Sequence, residues 1–386
     1  MSRGILLAAL SVVVSTAHAG ETTSTAKNPA QGTIQPAPDT SPFDAIWDLA
    51  TLYKNDANPI IEEFKLRGRY HGQYHWLDSS QGDEHSWEDR RSRFGFDARL
   101  FNKKLELRLD AQSADEFDPF YNGLVDAYVK WKPSDSFSLT LGRQKPFIAY
   151  HDFFQSTNLQ PTFERSQIFN QLRIDRAVGA LAEGKIDRWS WQAGVYSNQI
   201  DKEFGSFDGG LSFGAGLGYD FKDSLSLDKA EWRLDWLHSE IDANDTILNR
   251  YSDIVSSTFW LKSGDTGFVA EAFFGSGEAP DVFGFYLQPT YDIIPKKLQL
   301  VGRYTFSTGD GPDSLTVQSR YEKRAPELTD GGRGDLYQAG YLGLQYFIYG
   351  DKLKVLAGAE YSDLNGGRNG GDFDGWTFLT GVRLYF

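Results

Sequence analysis

The chain has no cysteine and a single methionine among its 386 residues. A disulfide framework, a cysteine-ligated metal, a thiol nucleophile and a cysteine-linked lipid anchor are therefore all excluded. Beyond the first 20 positions no run approaches the ~18 apolar residues that a membrane-crossing helix needs, which rules out a helical membrane protein. Cations are the minority charge: 39 Lys and Arg stand against 53 Asp and Glu, a formal net charge of −14. That balance argues against nucleic acid as a partner. Rings are abundant instead, with 28 Phe, 19 Tyr and 10 Trp, yet the mean hydropathy is only −0.45. A soluble core so rich in aromatics would normally be rich in aliphatic residues too, so a polar component must be diluting the average.

That component is an alternation of polar with apolar residues. In the last segment Trp376, Phe378, Val382, Leu384 and Phe386 fall on one face, and Thr377, Gly381, Arg383 and Tyr385 on the other. Between Ile60 and Leu77, Phe64, Leu66, Tyr70, Tyr74 and Trp76 oppose Lys65, Arg67, Arg69, His71, Gln73 and His75. A period of two is the mark of a β-strand between two environments. It recurs about 16 times, an even number, as bacterial single-chain barrels require. Short turns such as Asn102-Lys103-Lys104, Pro133-Ser134-Asp135 and Pro295-Lys296-Lys297 alternate with long polar connections: Asp78 to Asp89, Arg143 to Arg176, Gln199 to Ser212 and Ser307 to Asp335. A soluble propeller or double sandwich needs apolar inner faces, whereas these carry Arg, Lys, Glu and Gln. The fold class expected is all-β, a transmembrane antiparallel barrel with short periplasmic turns and long extracellular loops, because lipid admits only structures that pair every backbone polar group internally.

The N-terminal residues read as a secretory signal over 1–19: Arg3, an apolar stretch from Ile5 to Val14, and Ala17-His18-Ala19 before Gly20. Residues 20–59 read as a periplasmic linker, rich in Thr, Ala, Pro and Gln at its start. It holds one short helix with Phe43, Ile46, Trp47, Ala50 and Tyr53 at helical spacing. The barrel is expected over 60–386, in the outer membrane of a Gram-negative-type bacterium.

The connection after the fifth strand is basic within this acidic chain. It contains Arg143, Lys145, Arg165, Arg173 and Arg176 against Asp152, Glu164 and Asp175. The segments Gly142-Arg-Gln-Lys-Pro-Phe147 and Phe163-Glu-Arg-Ser166, followed by Asp175, Arg176 and Gly179, resemble landmarks of the phosphate-selective porins O and P, in the same order. The resemblance implies a 16-stranded, homotrimeric channel whose third extracellular loop folds into the lumen and leads anions through on Arg and Lys. Carried over by position, Arg143, Lys145 and Arg165 are the candidates for the constriction, and Lys65, Arg67, Arg69, Arg173 and Arg176 join them as pore-lining cations. Rings of Arg or Lys pass anions, and the planar guanidinium suits phosphate oxygens. Small inorganic anions, lipid and the barrel-assembly machinery, which would read the terminal Phe386, are the partners implied, with no cofactor.

Other inward positions are acidic: Asp97, Glu106, Asp110, Asp126, Glu231, Asp235, Glu271 and Glu360, with Arg99, Arg108, Lys130 and Arg233 on neighbouring strands. A salt-bridge mesh that stiffens the wall is the competing role for any one charge. A general or cation-preferring porin is the alternative function. A barrel enzyme or an adhesin is the alternative of another class, although no His stands in a recognisable relation to a Ser. Gly214-x-Gly216-x-Gly218 lies in a strand, and marks a thin wall where a loop or a neighbouring subunit approaches.

Overall fold

Two 19-residue strands open the barrel, β1 (Ile61–Ser79) and β2 (Gly82–Leu100). The computed structural model describes residues 41–199, 202–205, 207, 209–240, 251–318 and 320–386. The proposed signal sequence lies outside these. After the first pair come β3 (Leu105–Ser113), β4 (Leu124–Ser134), β5 (Phe137–Gln144), β6 (Ala177–Ile186), β7 (Trp189–Ser197) and β8 (Leu211–Asp220). The second half holds β9 (Lys229–Ser239), β10 (Asp253–Ser263), β11 (Thr266–Ser276), β12 (Val282–Ile294), β13 (Leu298–Gly309), β14 (Leu336–Phe347), β15 (Leu353–Asn365) and β16 (Phe373–Tyr385). Each strand pairs antiparallel with the next, and β16 returns to β1, from Gly375 against Ser79 to Tyr385 against Arg69. The barrel is closed with sixteen strands, so no wall strand is left as an unpaired edge.

The outer surface follows from the alternation. Leu66, Val129, Leu141, Leu234, Leu342 and Val355 all project outward and exposed, while their sequence neighbours, such as Thr140, Arg233 and Lys354, are buried inside. Arg67 bonds Asp97 and Asp110 (2.7 and 2.9 Å), and Arg108 reaches Asp97 (2.7 Å) and Glu106 (3.4 Å). Lys130 pairs with Glu183, and Arg303 with Glu360. The mesh expected of the inner charges is therefore present.

Two expectations need correction. The stretch Asp78 to Asp89, read as a polar connection, is strand, and β1 and β2 meet at Ser80-Gln81. Its polar residues alternate as well: Glu84, Ser86 and Glu88 stand opposite Leu77, His75 and Gln73. The helix before the barrel, α1 (Asp44–Asp48), is only one turn long, and the chain then forms a short strand, Thr51–Lys54, that pairs with β1 at Glu63, Phe64 and Lys65. This strand continues the wall below the end of β16. The Trp47 indole donates to the Tyr385 carbonyl at 2.7 Å, and around the seam Phe43 packs edge to face on Trp47 while both meet Tyr349 at a tilt.

Candidate functional site

The connection between β5 and β6, residues 145–176, folds inward and is held across the lumen from several sides. One cause is written in glycine. On β8 a Cβ at Gly216 would lie 2.9 Å from the ring of Phe147 and 2.6 Å from Asp235 Oδ1, and one at Gly214 would lie 3.7 Å from the Phe147 carbonyl. The alternate glycines thus leave the thin wall against which this loop enters. A second cause is a β-bulge. Between β1 and β2 the register steps from His71 opposite Arg91 to Gly72 opposite Asp89, which leaves Arg90 as the extra residue. A bulge re-aims side chains, and here both consecutive arginines reach Glu164 of the loop. Arg90 grips its carboxylate with two bonds of 2.6 and 2.9 Å, and Arg91 lies at 3.6 Å. Burial opposes ionisation of Glu164, but the attraction of Arg90 and Arg91 outweighs it and holds the carboxyl well below the usual range.

Other anchors complete the crossing. Arg383 on β16 donates to the carbonyls of Gln160, Thr162 and Phe163 at 2.6, 2.7 and 3.0 Å. Arg303 on β13 donates to the Glu164 carbonyl at 2.7 Å. Glu271 on β11 accepts from the backbone N–H of His151 and Asp152 (3.1 and 2.9 Å). His71 meets Asn158 at 3.0 Å. The loop's own helix, α2 (Gln167–Leu172), is capped by Ser166, whose hydroxyl accepts from Phe169 N. His71, His75 and His151 are all bonded in this framework, to Asn158, Glu84 and Tyr286.

Below the loop, against the β1–β6 wall, lies a cavity of about 530 Å³. Nine Lys or Arg face it (Lys65, Arg67, Arg69, Arg99, Arg108, Lys130, Lys132, Lys145 and Arg176) against three acids, Glu106, Asp126 and Glu183. The charge of this space is therefore opposite to that of the chain. Most of these cations are paired with carboxylates; Arg176, for example, holds Asp126 at 2.7 Å. Arg69 is not: it donates to the hydroxyls of Thr157 and Ser156 at 3.0 and 3.4 Å. Directly opposite it in the register stands Arg93. Among the described residues neither arginine forms an ion pair, and the Nε of each is buried without an acceptor. A void of about 10 Å³, the space of a single water or small ion, lies between Arg67, Arg69, Arg93 and Asn158, with Asp110, the partner of Arg67, also on its wall.

The residues singled out from sequence therefore divide. Lys65, Arg67, Arg69, Lys145 and Arg176 line one cavity. Lys145 also ties the loop to itself, donating to the carbonyls of Phe153 and Gln155 (2.6 and 2.8 Å). Arg143 is a correction. It shares the outward parity of its register partners Ala127 and Val178, and its guanidinium is consumed by the Leu124 and Lys202 carbonyls (3.0 and 2.9 Å). Arg165 is another: it donates to the Asp152 carbonyl at 2.9 Å and sits 5.0 Å from the ring centres of both Phe153 and Phe169, bracing the loop from within. Burial pushes its guanidinium down to about 10. Arg173 is exposed at the end of α2 with a left-handed backbone, away from this cavity. Sequence reading missed Arg90, Arg91 and Arg93, which fell at the edge of the supposed polar connection. The signal was there, since Arg91, Arg93, Asp97 and Arg99 keep the inner parity.

A closed sixteen-stranded antiparallel wall, an apolar exterior, a charged lumen and an inward-folded third loop define an outer-membrane β-barrel of porin architecture. Residues 64–216 match the family described as phosphate-selective porin O and P, the region that holds most of the motifs quoted above. Solved structures share the fold at low identity. OmpF of Salmonella typhi, solved as a complex with daunomycin, is 15% identical with a TM-score of 0.62, covering 87% of this chain and 100% of its own. The anion-selective porin from Comamonas acidovorans is 12% identical with a TM-score of 0.59, covering 84% and 99%. A trimer form of OmpT from Vibrio cholerae is 14% identical with a TM-score of 0.56, again covering 84% and 99%. No curated protein matches the chain at a significant level.

Proposed function

We propose that this protein is a water-filled channel for passive diffusion of small inorganic anions, phosphate among them, and that it works as a homotrimer. The observation that carries the anion reading is the Arg69–Arg93 pair. Like charges directly opposed across two strands are destabilising, and buried donors without acceptors add to that cost. An anion held between the two guanidinium groups relieves both. Lys65 and Lys145, which among the described residues have no carboxylate partner, extend the same positive field through the cavity, where little water screens it. Arg143 and Arg165 act in this scheme as braces of the wall and loop. Support for the trimer comes from the shared fold with the OmpT trimer form. Residues 20–59 serve as a periplasmic lead-in that ends at the barrel seam, behind a cleaved signal at 1–19. The test is the reversal potential of the purified channel in a planar bilayer under a potassium chloride gradient. A chloride-selective potential is expected, and a potassium-selective one overturns the anion reading while leaving a general porin.

A further inference from the structure

A second space lies beneath the third loop, against the opposite wall. It measures about 90 Å³, several times the roughly 10–15 Å³ one water requires, and Gln155 and Pro161 of the loop face Trp260, Gln288, Gln299 and Gln345 of the wall across it. Two of its charges are already engaged. Asp292 accepts from Gln299 Nε2 at 2.7 Å, and Asp351 holds Lys354 at 2.8 Å. Lys262 and Asp265 add one charge of each sign. Among its buried neutral groups, what remains unspent is amide oxygen.

The orientation of two of those amides, Gln299 and Gln345, is fixed by chemistry. A carboxylate only accepts, so Gln299 must present its NH₂ to Asp292 and its carbonyl to the next residue. Gln345 Nε2 donates to that carbonyl at 2.9 Å. Gln345 Oε1 is therefore the free end of the chain; the residue is 2% exposed, and the oxygen has no protein donor. Gln155 Oε1, on the loop side, is likewise buried without a donor. Anions are refused by a site that offers acceptors. The Trp260 face is already taken by a cation, with Lys229 Nζ 3.1 Å from the ring centre.

We infer that this cavity is a binding site for a small uncharged polyol, with hydroxyls donated to Gln345 Oε1 and Gln155 Oε1 and the carbon skeleton packed on the apolar lining. The lumen then has two sides, divided by the loop at Leu159, which lines both cavities: one for anions and one for hydroxylated solutes. The test is uptake into proteoliposomes of xylitol, against glycine betaine as a solute without hydrogen-bond donors, with chloride conductance recorded in parallel. Wild-type xylitol uptake should saturate. Gln345→Leu should abolish the saturation and slow uptake at low xylitol severalfold, and its betaine uptake and chloride conductance should stay unchanged. Unsaturable wild-type uptake overturns the inference. So does a Gln345→Leu channel whose loss is equal for xylitol and betaine, or absent. None of these outcomes bears on the reversal potential, so the anion reading stands or falls separately.

Discussion

Replacing Arg69 and Arg93 together by Met is the sharpest perturbation of the proposed selectivity. The two side chains are opposed in the β1–β2 register, and among the described residues neither has a carboxylate partner. For an anion about 5 Å away, one unit charge is worth about 0.8 kcal/mol at the dielectric of water and about 3 kcal/mol at an effective value of 20. With about 1.4 kcal/mol per factor of ten, even the lower figure makes each arginine worth roughly a fourfold change in chloride partition. The double variant should therefore lower the chloride-to-potassium permeability ratio by about tenfold or more, read from reversal potentials in a salt gradient. Arg173→Met is the control. That residue is exposed, and beyond a Debye length of ~8–10 Å bulk salt screens it, so a change under about twofold is expected. Heat-modifiable migration on gels confirms that the barrels are folded. A folded double variant with the wild-type ratio would refute the placement of the anion track on this wall.

Three further outcomes are expected. A water-soluble thiol reagent should label cysteine placed at Thr140 or Arg108 and spare cysteine at Leu139 or Leu234, since the first pair face the lumen and the second the lipid; equal labelling removes the assignment of faces. Gly216→Val drives a side chain into Phe147 and Asp235, an overpacking of about 1–3 kcal/mol, and should loosen the third loop, seen as noisier current and faster proteolysis within 145–176. The third concerns Glu322, buried in the extracellular connection 310–335, where burial raises its carboxyl to about 7. Between its ordinary value of 4.5 and about 7 the folded connection holds a proton that the released one gives up, so stability falls as pH rises through that window and is flat above it. Release of this connection, followed by proteolysis, should increase from pH 5 to 7 and level off, and Glu322→Gln should remove the dependence.

Strand number and sidedness were legible because the barrel imposes a two-residue period on every wall segment, and the outward set from Leu66 to Phe378 is a direct record of lipid. Arg143 was legible too: it stands two positions after Leu141 and keeps the outward parity, but a motif placed it in the lumen. The bulge at Arg90 was beyond reach, since it depends on which residue of β1 stands opposite and leaves no trace in β2 alone. The pairing of charges was equally hidden. Lys65, Arg69 and Arg67 look alike in sequence, yet only Arg67 is neutralised, by Asp97 and Asp110. The division of the lumen rests on contacts between the loop and strands up to 226 residues away, such as those of Arg383, and no local pattern encodes them.

The seam where β16 meets β1 makes closure a different event from the other pairings. Fifteen of the sixteen wall junctions join consecutive strands, whereas Arg69 and Tyr385 are more than 300 residues apart. Forming that last junction carries the loop-closure entropy of the whole chain, so it comes after the hairpins and waits for the final strand. Until then β1 presents an unpaired edge, the kind of surface that recruits other chains. The strand Thr51–Lys54 needs only a short local turn to reach its place on that edge. It can shelter the start of β1 from the beginning, and when β16 arrives, Trp47 receives its last carbonyl.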